Sequence, residues 1–510
     1  MSIFFEDNRA RQGHGRKSLR SGAISVGARG LTALVQVGSV MFLARLLSPE
    51  DYGLVSMVTA IAGLAPLLID LGTRDAVGQK HCITEGEISA LFWITVAMGC
   101  GFALLVGASG PAIAWLYGEP RLKTIALLYS LTIVASALSY QHHALLRRAM
   151  MFSKLVTIEV GATVLGAGTA IILAFHGGGY WALVARPIAT SAFTAIGVWS
   201  FCRWVPGKPT ITKGVKEMLN FGIHTIGFSW TDFAGKNCDR VAIGLVQGPK
   251  SLGYFQNSLL VYDNLLDLSW PLQGVALVSL SKLRDNLDEL RRSWGNALSI
   301  LAFYAMPMFG IVAVTSQDLI PLLLGEKWSI AGALLSVLAL RGIPHVVERT
   351  AGWLHAAAGR GDRLLRWGIA VTIVQIVALL SGLPFGSMGV IVAYVLVTYA
   401  FFAPAVAYAG RPLGIGATHV FRVVGRQMVG ALSSAAVGFL LRHTLLADIP
   451  RTTRVASLTL AYIGMYFVLV VGLFNVRTPL RFTASLLLDF LPSRFGPTAK
   501  LGYLRGPGNG

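Results

Sequence analysis

Long apolar stretches separated by short polar connections run through most of this chain. They fall at 22–46, 54–73, 88–117, 124–146, 155–175, 180–201, 218–247, 251–281, 294–316, 329–348, 364–383, 388–409, 428–446 and 455–475. Each is close to the roughly 20 helical residues that cross ~30 Å of hydrocarbon. The pattern predicts an all-α, polytopic membrane protein of about 14 transmembrane helices. No connection exceeds about 20 residues, too short for an independently folded soluble domain. Residues 480–491 set Arg481 and Asp489 among Phe482, Leu486, Leu487 and Phe490, which predicts a short interfacial helix stopped by Pro492. The Gly-, Pro- and Arg-rich remainder is predicted to be disordered.

The pattern also repeats itself. A long apolar segment ends at a Pro-x-x-x-Gly turn, and another begins at once, both at Pro49–Gly53 and at Pro249–Gly253. At the same offset Gly22 and Gly27 fall on Gly222 and Gly227. Leu116-Tyr117-Gly118-Glu119 returns as Leu323-Leu324-Gly325-Glu326, and Gly179 to Ala185 return as Ser387 to Ala393. Landmarks in one order at nearly one offset mark a duplicated unit. The expected organisation is a basic cytoplasmic tail over 1–21, a six-helix lobe with its linker over 22–217, and a homologous six-helix lobe over 218–410. An additional helix pair over 411–476 and an amphipathic, disordered cytoplasmic tail over 477–510 complete it. Six helices per lobe is an even number, so the lobes share one orientation and are related by an axis along the membrane normal.

Composition excludes a soluble protein: 54% of the residues are hydrophobic and 13% charged, about half the usual charged fraction. The net charge of +19 raises nucleic acid as a partner, but the basic residues lie in short clusters between apolar segments, as the positive-inside rule distributes them. With no basic face or aromatic platform, no nucleic-acid partner is expected. Arg147, Arg148, Lys208, Lys213, Lys216, Arg291, Arg292, Arg360, Arg363, Arg411 and Arg422 fall in even-numbered connections, which places both termini in the cytoplasm. Cys82, Cys100, Cys202 and Cys238 are scattered and imply neither a disulfide framework nor a zinc site. The N-terminal apolar stretch is too long for a signal peptide and is expected to stay as the first helix.

Arg29, Arg186, Lys236, Arg240 and Arg341 fall inside apolar segments. A charged side chain at a helix centre costs roughly 2.5–3.5 kcal/mol on insertion scales, so it faces a cavity or a partner unless it snorkels from near a helix end. Snorkelling suits Arg186 and Arg240 better than Arg29 or Arg341. Counted from the turn at Pro49, Arg29 and Asp70 reach similar depth and can pair or share a cavity. Around the second turn, Lys236 and Asp263 reach similar depth, with Asp232 and Asp267 one helical turn deeper. Asp232, Lys236 and Arg240 recur every fourth residue, as do Asp263 and Asp267, so each set marks one helix face. Two readings of this cluster stand side by side: an ion-paired clamp that serves packing, and the lining of a cavity that binds substrate or a cation. Arg29 and Arg341, one per lobe, are the candidates for contact with an anionic substrate.

Other motifs carry less. Pro66, Pro187, Pro271, Pro307, Pro344 and Pro404 interrupt apolar segments and favour bending there, with Pro66 and Pro271 at near-equivalent places. His142-His143 lacks further metal ligands nearby, and His176-Gly177-Gly178-Gly179 reads as a flexible turn. Glu159 and Glu348 fall near cytoplasmic helix ends and are expected to be solvated. With no catalytic constellation, no metal site and no cofactor motif, the chain is expected not to be an enzyme.

Arg45-Leu46-Leu47-Ser48-Pro49-Glu50-Asp51-Tyr52-Gly53, Asp70-Leu71-Gly72, Asp239-Arg240 with Ile243-Gly244, and Leu252-Gly253-Tyr254 resemble the polysaccharide-transporter branch of the multidrug/oligosaccharidyl-lipid/polysaccharide exporter superfamily. The resemblance runs through residues 20–410, while the last two helices match in hydropathy alone. It implies a flippase that moves polyprenyl-diphosphate-linked oligosaccharides across the bacterial cell inner membrane for exopolysaccharide, capsule or O-antigen lipopolysaccharide assembly. It further implies two lobes in a V around a cationic cavity, alternating access, and a groove for the lipid tail between the last two helices. On that footing Arg29 and Arg341 are substrate-binding candidates, and Asp70, Asp232, Lys236, Arg240, Asp263 and Asp267 are candidates for coupling or gating. Membrane lipid, a proton or sodium ion, and the polysaccharide polymerase and export machinery are the implied partners.

Two rival functions remain open. A drug/cation antiporter of the same superfamily would carry cations, which a cavity offering Arg29 and Arg341 suits poorly. A membrane polysaccharide polymerase or ligase would need a sizeable outward loop with catalytic groups, and the outward loops here are short.

Overall fold

The computed structural model describes residues 15–70, 77, 80, 83–267 and 286–483, and every described element is a helix. The side chains of Arg29, Asp232 and Lys236 lie outside the described set, as do Pro271 and most of 480–491. Helix α1 (Gly15–Leu46) is followed after one turn by α2 (Pro49–Ala62). Ser48 sets that turn: its hydroxyl accepts the Asp51 N–H at 3.2 Å, while the Asp51 carboxylate accepts the Ser48 N–H at 2.8 Å. This capping box, with Pro49 in the first helical turn, starts α2 where the sequence pattern turned the chain. The expected single segment 54–73 is instead divided, because α2 stops at Ala62 and α3 (Ala65–Asp70) begins beside Pro66. Proline has no N–H with which to continue the ladder.

The first half continues with α4 (Glu85–Ala108), α5 (Gly110–Tyr117), α6 (Arg121–Arg148), α7 (Phe152–Phe175) and α8 (Tyr180–Cys202). Helix α9 (Lys213–Asp267) is two arms that meet at Gly248, where φ is 78° and ψ 179°, with Pro249 next. That conformation is open to glycine and strained for other residues, and it falls where the second turn was expected. After α9 come α10 (Leu287–Leu324), a 3-10 turn over Glu326–Trp328, and α11 (Ser329–Arg349). The remainder is α12 (Ala351–Ala358), α13 (Gly361–Gly382), α14 (Gly386–Gly410), α15 (Ala417–His443) and α16 (Arg451–Phe467), the last continuing as a π turn over Val468–Leu473. Helix α10 runs on through Pro307 and Pro321, far past the expected end at 316.

Among the described residues nine stretches are long and apolar enough to cross a membrane, one of them, Asp362–Leu413, holding both α13 and α14. The chain is a multi-pass membrane protein. The count of fourteen is not fixed by these stretches, since α2 has only 14 residues.

Within the first half α7 packs on α1 and α8, and α6 on α4 and α8; in the second, α11 packs on α10 and α14, and α13 on α14. The halves meet where α2 packs on α9. There the two Pro-x-x-x-Gly motifs interlock. A methyl group on Gly53 would fall onto the Pro249 carbonyl, and one on Gly253 would fall onto the Pro49 carbonyl and within 3.2 Å of the Gly53 nitrogen. Neither glycine has a positive φ, so space and not backbone freedom is what each supplies. This is the close backbone approach that small residues permit between membrane helices. Tyr52 and Tyr254, from the two turns, both set their rings edge-on to the buried Trp328, with centroids 5.2 and 6.1 Å away.

Around this seam the helix ends cap one another. Trp328 Nε1 donates to the Ala44 carbonyl at 2.8 Å and Lys327 Nζ to the Arg45 carbonyl at 2.9 Å, both in the last turn of α1. In return Arg45 donates to the Leu322 and Leu323 carbonyls at 2.8 and 3.0 Å, in the last turn of α10. Cations at helix C-termini also oppose the negative end of each helix dipole.

Helices α15 and α16 pack on each other and on α10. Their anchor is Asp318 of α10, whose side chain is 3% exposed and lies 3.2 Å from both Arg442 and Arg454. Arg454 also donates to the Leu446 and Ile449 carbonyls, so the α15–α16 loop is wound about the same guanidinium.

Candidate functional site

In the second half, side chains from α9, α11, α13, α14 and the short α12 surround a cavity of about 670 Å³. The face of α11 that carries Arg341, His345, Glu348 and Arg349 lines one wall, at the spacing of successive helical turns. Opposite it stand Asp239 and Arg240 from the first arm of α9 and Tyr262, Asp263 and Asp267 from the second. Arg341 Nε donates to Thr398 Oγ1 at 2.9 Å, and its guanidinium lies 5.2 Å from the Tyr394 ring centroid and 6.0 Å from that of Tyr262. A guanidinium within about 6 Å of a ring is held by the ring's negative face as well as by its hydrogen bond. The Tyr262 hydroxyl shares a 2.7 Å hydrogen bond with His345 Nδ1.

Arg240 donates to Asn237 Oδ1 at 2.8 Å, and the buried Asp239 accepts the Arg240 backbone N–H at 2.7 Å. At the mouth Arg349 reaches Asp267 at 3.7 Å, and that carboxylate is 70% exposed. His355 is 1% exposed, and among the described residues neither of its ring nitrogens has a hydrogen-bond partner. Among the described lining residues four carboxylates (Asp239, Asp263, Asp267, Glu348) stand against three guanidiniums (Arg240, Arg341, Arg349).

The structure therefore gathers Arg240, Asp263, Asp267 and Arg341 into one place. Asp70, half-buried at the end of α3 in the first half, is not among the described residues that line this cavity. Arg29, Asp232 and Lys236 lie on helical backbone, but their side chains are outside the described set. Arg341 sits with Arg240, Asp263 and Asp267, and the described residues that line the cavity with it all come from the second half. Glu348 corrects the expectation of a solvated helix end: it is half-buried and faces the cavity, because α11 runs on into α12 with only Thr350 between. Glu159 is exposed as expected, 3.2 Å from His143. His142 is fully buried, stacked on Trp199 at 4.2 Å and bonded through Nε2 to the Trp204 carbonyl at 3.1 Å. Among the described residues no group of side chains is arranged to hold a metal ion.

Reading the sequence by charge alone missed Asp239, Tyr262, His345, Arg349 and Tyr394. A signal for two of them was present. Arg341, His345 and Arg349 recur at intervals of four, which is a polar stripe down an otherwise apolar helix.

A family model described as "Polysaccharide biosynthesis protein" matches residues 42–332, more than half of the 510-residue chain. The chain belongs to this family. The matched stretch contains both interlocked turns, Asp318, and the α9 and α10 backbone, so the seam is a property of the part that defines the family. The teichuronic acid biosynthesis protein TuaB of Bacillus subtilis (strain 168) is 26% identical over 378 residues, 73% of this chain and 78% of that one. The succinoglycan biosynthesis transport protein ExoT of Rhizobium meliloti (strain 1021) is 26% identical over 416 residues, 79% of this chain and 83% of that one. Among solved structures, the lipid II flippase MurJ in an inward closed conformation shares the fold at a TM-score of 0.66, with 15% identity, over 90% of this chain and 99% of the other. This polysaccharide biosynthesis protein thus shares its fold with that structure over nine-tenths of its length.

Proposed function

We propose that this polysaccharide biosynthesis protein is a flippase. It carries a polyprenyl-diphosphate-linked oligosaccharide across the bacterial inner membrane by alternating access, for exopolysaccharide, capsule or O-antigen assembly. The observation that carries this reading is family membership together with a fold shared over 90% of the chain with a lipid II flippase. A diphosphate head group cannot cross ~30 Å of hydrocarbon unaided and needs a shielded basic path. The two lobes, 22–217 and 218–410, move against each other about the interlocked turns, with both termini in the cytoplasm and the turns at the outward side, as the distribution of Lys and Arg supports. Arg29 and Arg341 serve the substrate, and Asp70, Asp232, Lys236, Arg240, Asp263 and Asp267 serve coupling or gating by a proton or sodium ion. The polymerase and export machinery act after it.

The test is a lipid extract from cells lacking the protein, with the sidedness of stored glycolipid read by enzyme access. Complete lipid-linked oligosaccharide held on the cytoplasmic side supports flipping. The same lipid gathered on the outer side would sink the proposal and point to polymerisation. The acidic share of the second-half cavity favours one rival, a drug/cation antiporter, and export of organic cations by the purified protein in vesicles would establish it.

A further inference from the structure

Arg186 was expected to snorkel from a helix end. In the structure it is half-buried in α8, six residues in from Tyr180 and beside Pro187, which interrupts that helix. It lines a recess of about 240 Å³ in the first half, between α1, α7 and α8. The other polar groups there are Gln36 from α1, Thr163 from α7, and Thr190 and Ser191 from α8. Among the described residues no carboxylate lines it, in contrast to the second-half cavity with four. Within the described residues the Arg186 guanidinium has neither hydrogen bond nor salt bridge, and its charge is felt by Tyr52, whose buried hydroxyl is also without a partner. Tyr52 is the residue set edge-on to Trp328 of the second half, so the recess stands next to the seam.

A guanidinium kept inside a membrane helix with no counter-charge is costly. The groups around it can offset that cost by binding an anion. The Ser191 oxygen accepts from Ser136 at 3.3 Å, which leaves its own hydrogen to donate. Thr163 and Thr190 give their hydrogens to carbonyls one turn back, Glu159 and Arg186, and a hydroxyl rotor can be redirected. One fixed cation ringed by neutral donors is the chemistry that recognises a phosphate oxyanion.

We infer that the Arg186 recess is a phosphate-ester site in the first half of the protein, which takes the anionic head group of an isoprenoid diphosphate or of an anionic phospholipid. The assignment of the first of these as cargo rests on the flippase reading. Arg186 supplies the charge, while Ser191 and Gln36 supply neutral donors.

The test uses the full-length protein in detergent micelles with two probes, geranylgeranyl diphosphate and phosphatidylglycerol, and reads binding by native mass spectrometry. Arg186→Gln is expected to weaken binding of at least one probe about tenfold or more, the loss of one charge-assisted hydrogen bond. Arg186→Lys should recover part of it, and Ser191→Ala should weaken it about threefold. A loss confined to the diphosphate marks the recess as a cargo site, and a loss confined to phosphatidylglycerol marks it as a lipid site. Binding of both probes by Arg186→Gln within twofold of the wild type would overturn the inference and leave the flippase reading standing. Should Arg186→Gln not fold, unchanged binding by Ser191→Ala would overturn it equally. Failure of the wild-type protein to bind the diphosphate would count against the flippase reading, while the phospholipid arm would still decide the recess.

Discussion

Gly53→Ala puts a methyl group onto the Pro249 carbonyl, far inside the ordinary 3.4–4 Å contact distance, and the atom it meets is backbone and cannot swing aside. Two helices must therefore part. Overpacking of this kind costs about 1–3 kcal/mol, which shifts an open-to-closed equilibrium at the seam by roughly 5- to 150-fold. Gly253→Ala meets the Pro49 carbonyl in the same way and should cost about as much. Because one separation relieves both clashes, the double variant should cost clearly less than the sum of the two single variants. Gly161→Ala has open space around it and serves as the control. Spin labels at the exposed positions Leu46 and Val246, in a background without the four native cysteines, report the separation of the two turns. Longer and broader distances are expected in either single variant, with little further change in the double. A wild-type distance distribution in both single variants, in protein of wild-type thermal stability, would refute the reasoning.

Asp318→Asn should lower stability by about 3–5 kcal/mol, because it leaves Arg442 and Arg454 buried without their carboxylate; thermal melting of the purified protein measures it, and a melting point within a degree or two of the wild type would count against the anchor. Arg341→Ala removes a charge-assisted bond to Thr398 and the contacts with Tyr394 and Tyr262, so polysaccharide export should fall roughly tenfold or more. Arg341→Lys should keep only part of the activity, since a lysine cannot present a planar fork to the rings. Ser48→Ala removes one arm of the capping box and should cost about 1 kcal/mol of stability, read as a lower melting temperature with export retained.

What could be read in the sequence was whatever depends on local chemistry. Hydrophobic period located the helices, Ser48-Pro49 located the first turn, and Gly248-Pro249 located the second, because each of these acts on its own few residues. The repeat of the Pro-x-x-x-Gly motif was legible as well, yet its main consequence was not: nothing in either copy says that Gly53 touches Pro249. That contact exists only once both copies are folded and brought face to face. The cavity shows the same division. Arg240, Asp263 and Arg341 stood out as charges in apolar surroundings, whereas Tyr262 and Tyr394 are ordinary residues for a membrane helix and acquire a role only by flanking Arg341. Charge alone did not reveal the surroundings of Arg186 either, because only the fold brings α1 and α7 beside it to form the recess.

The reciprocal capping at the seam bears on how that end of the molecule can open. Four main-chain carbonyls, those of Ala44 and Arg45 at the end of one helix and of Leu322 and Leu323 at the end of another, have their extra hydrogen bonds supplied by side chains of the opposite half. If the halves separate, those oxygens lose their donors together, at about 1–3 kcal/mol for each left bare. Hydrocarbon has nothing to give them. Opening there is therefore a wetting event: water has to enter as the helices leave, and drying the seam is what closes it.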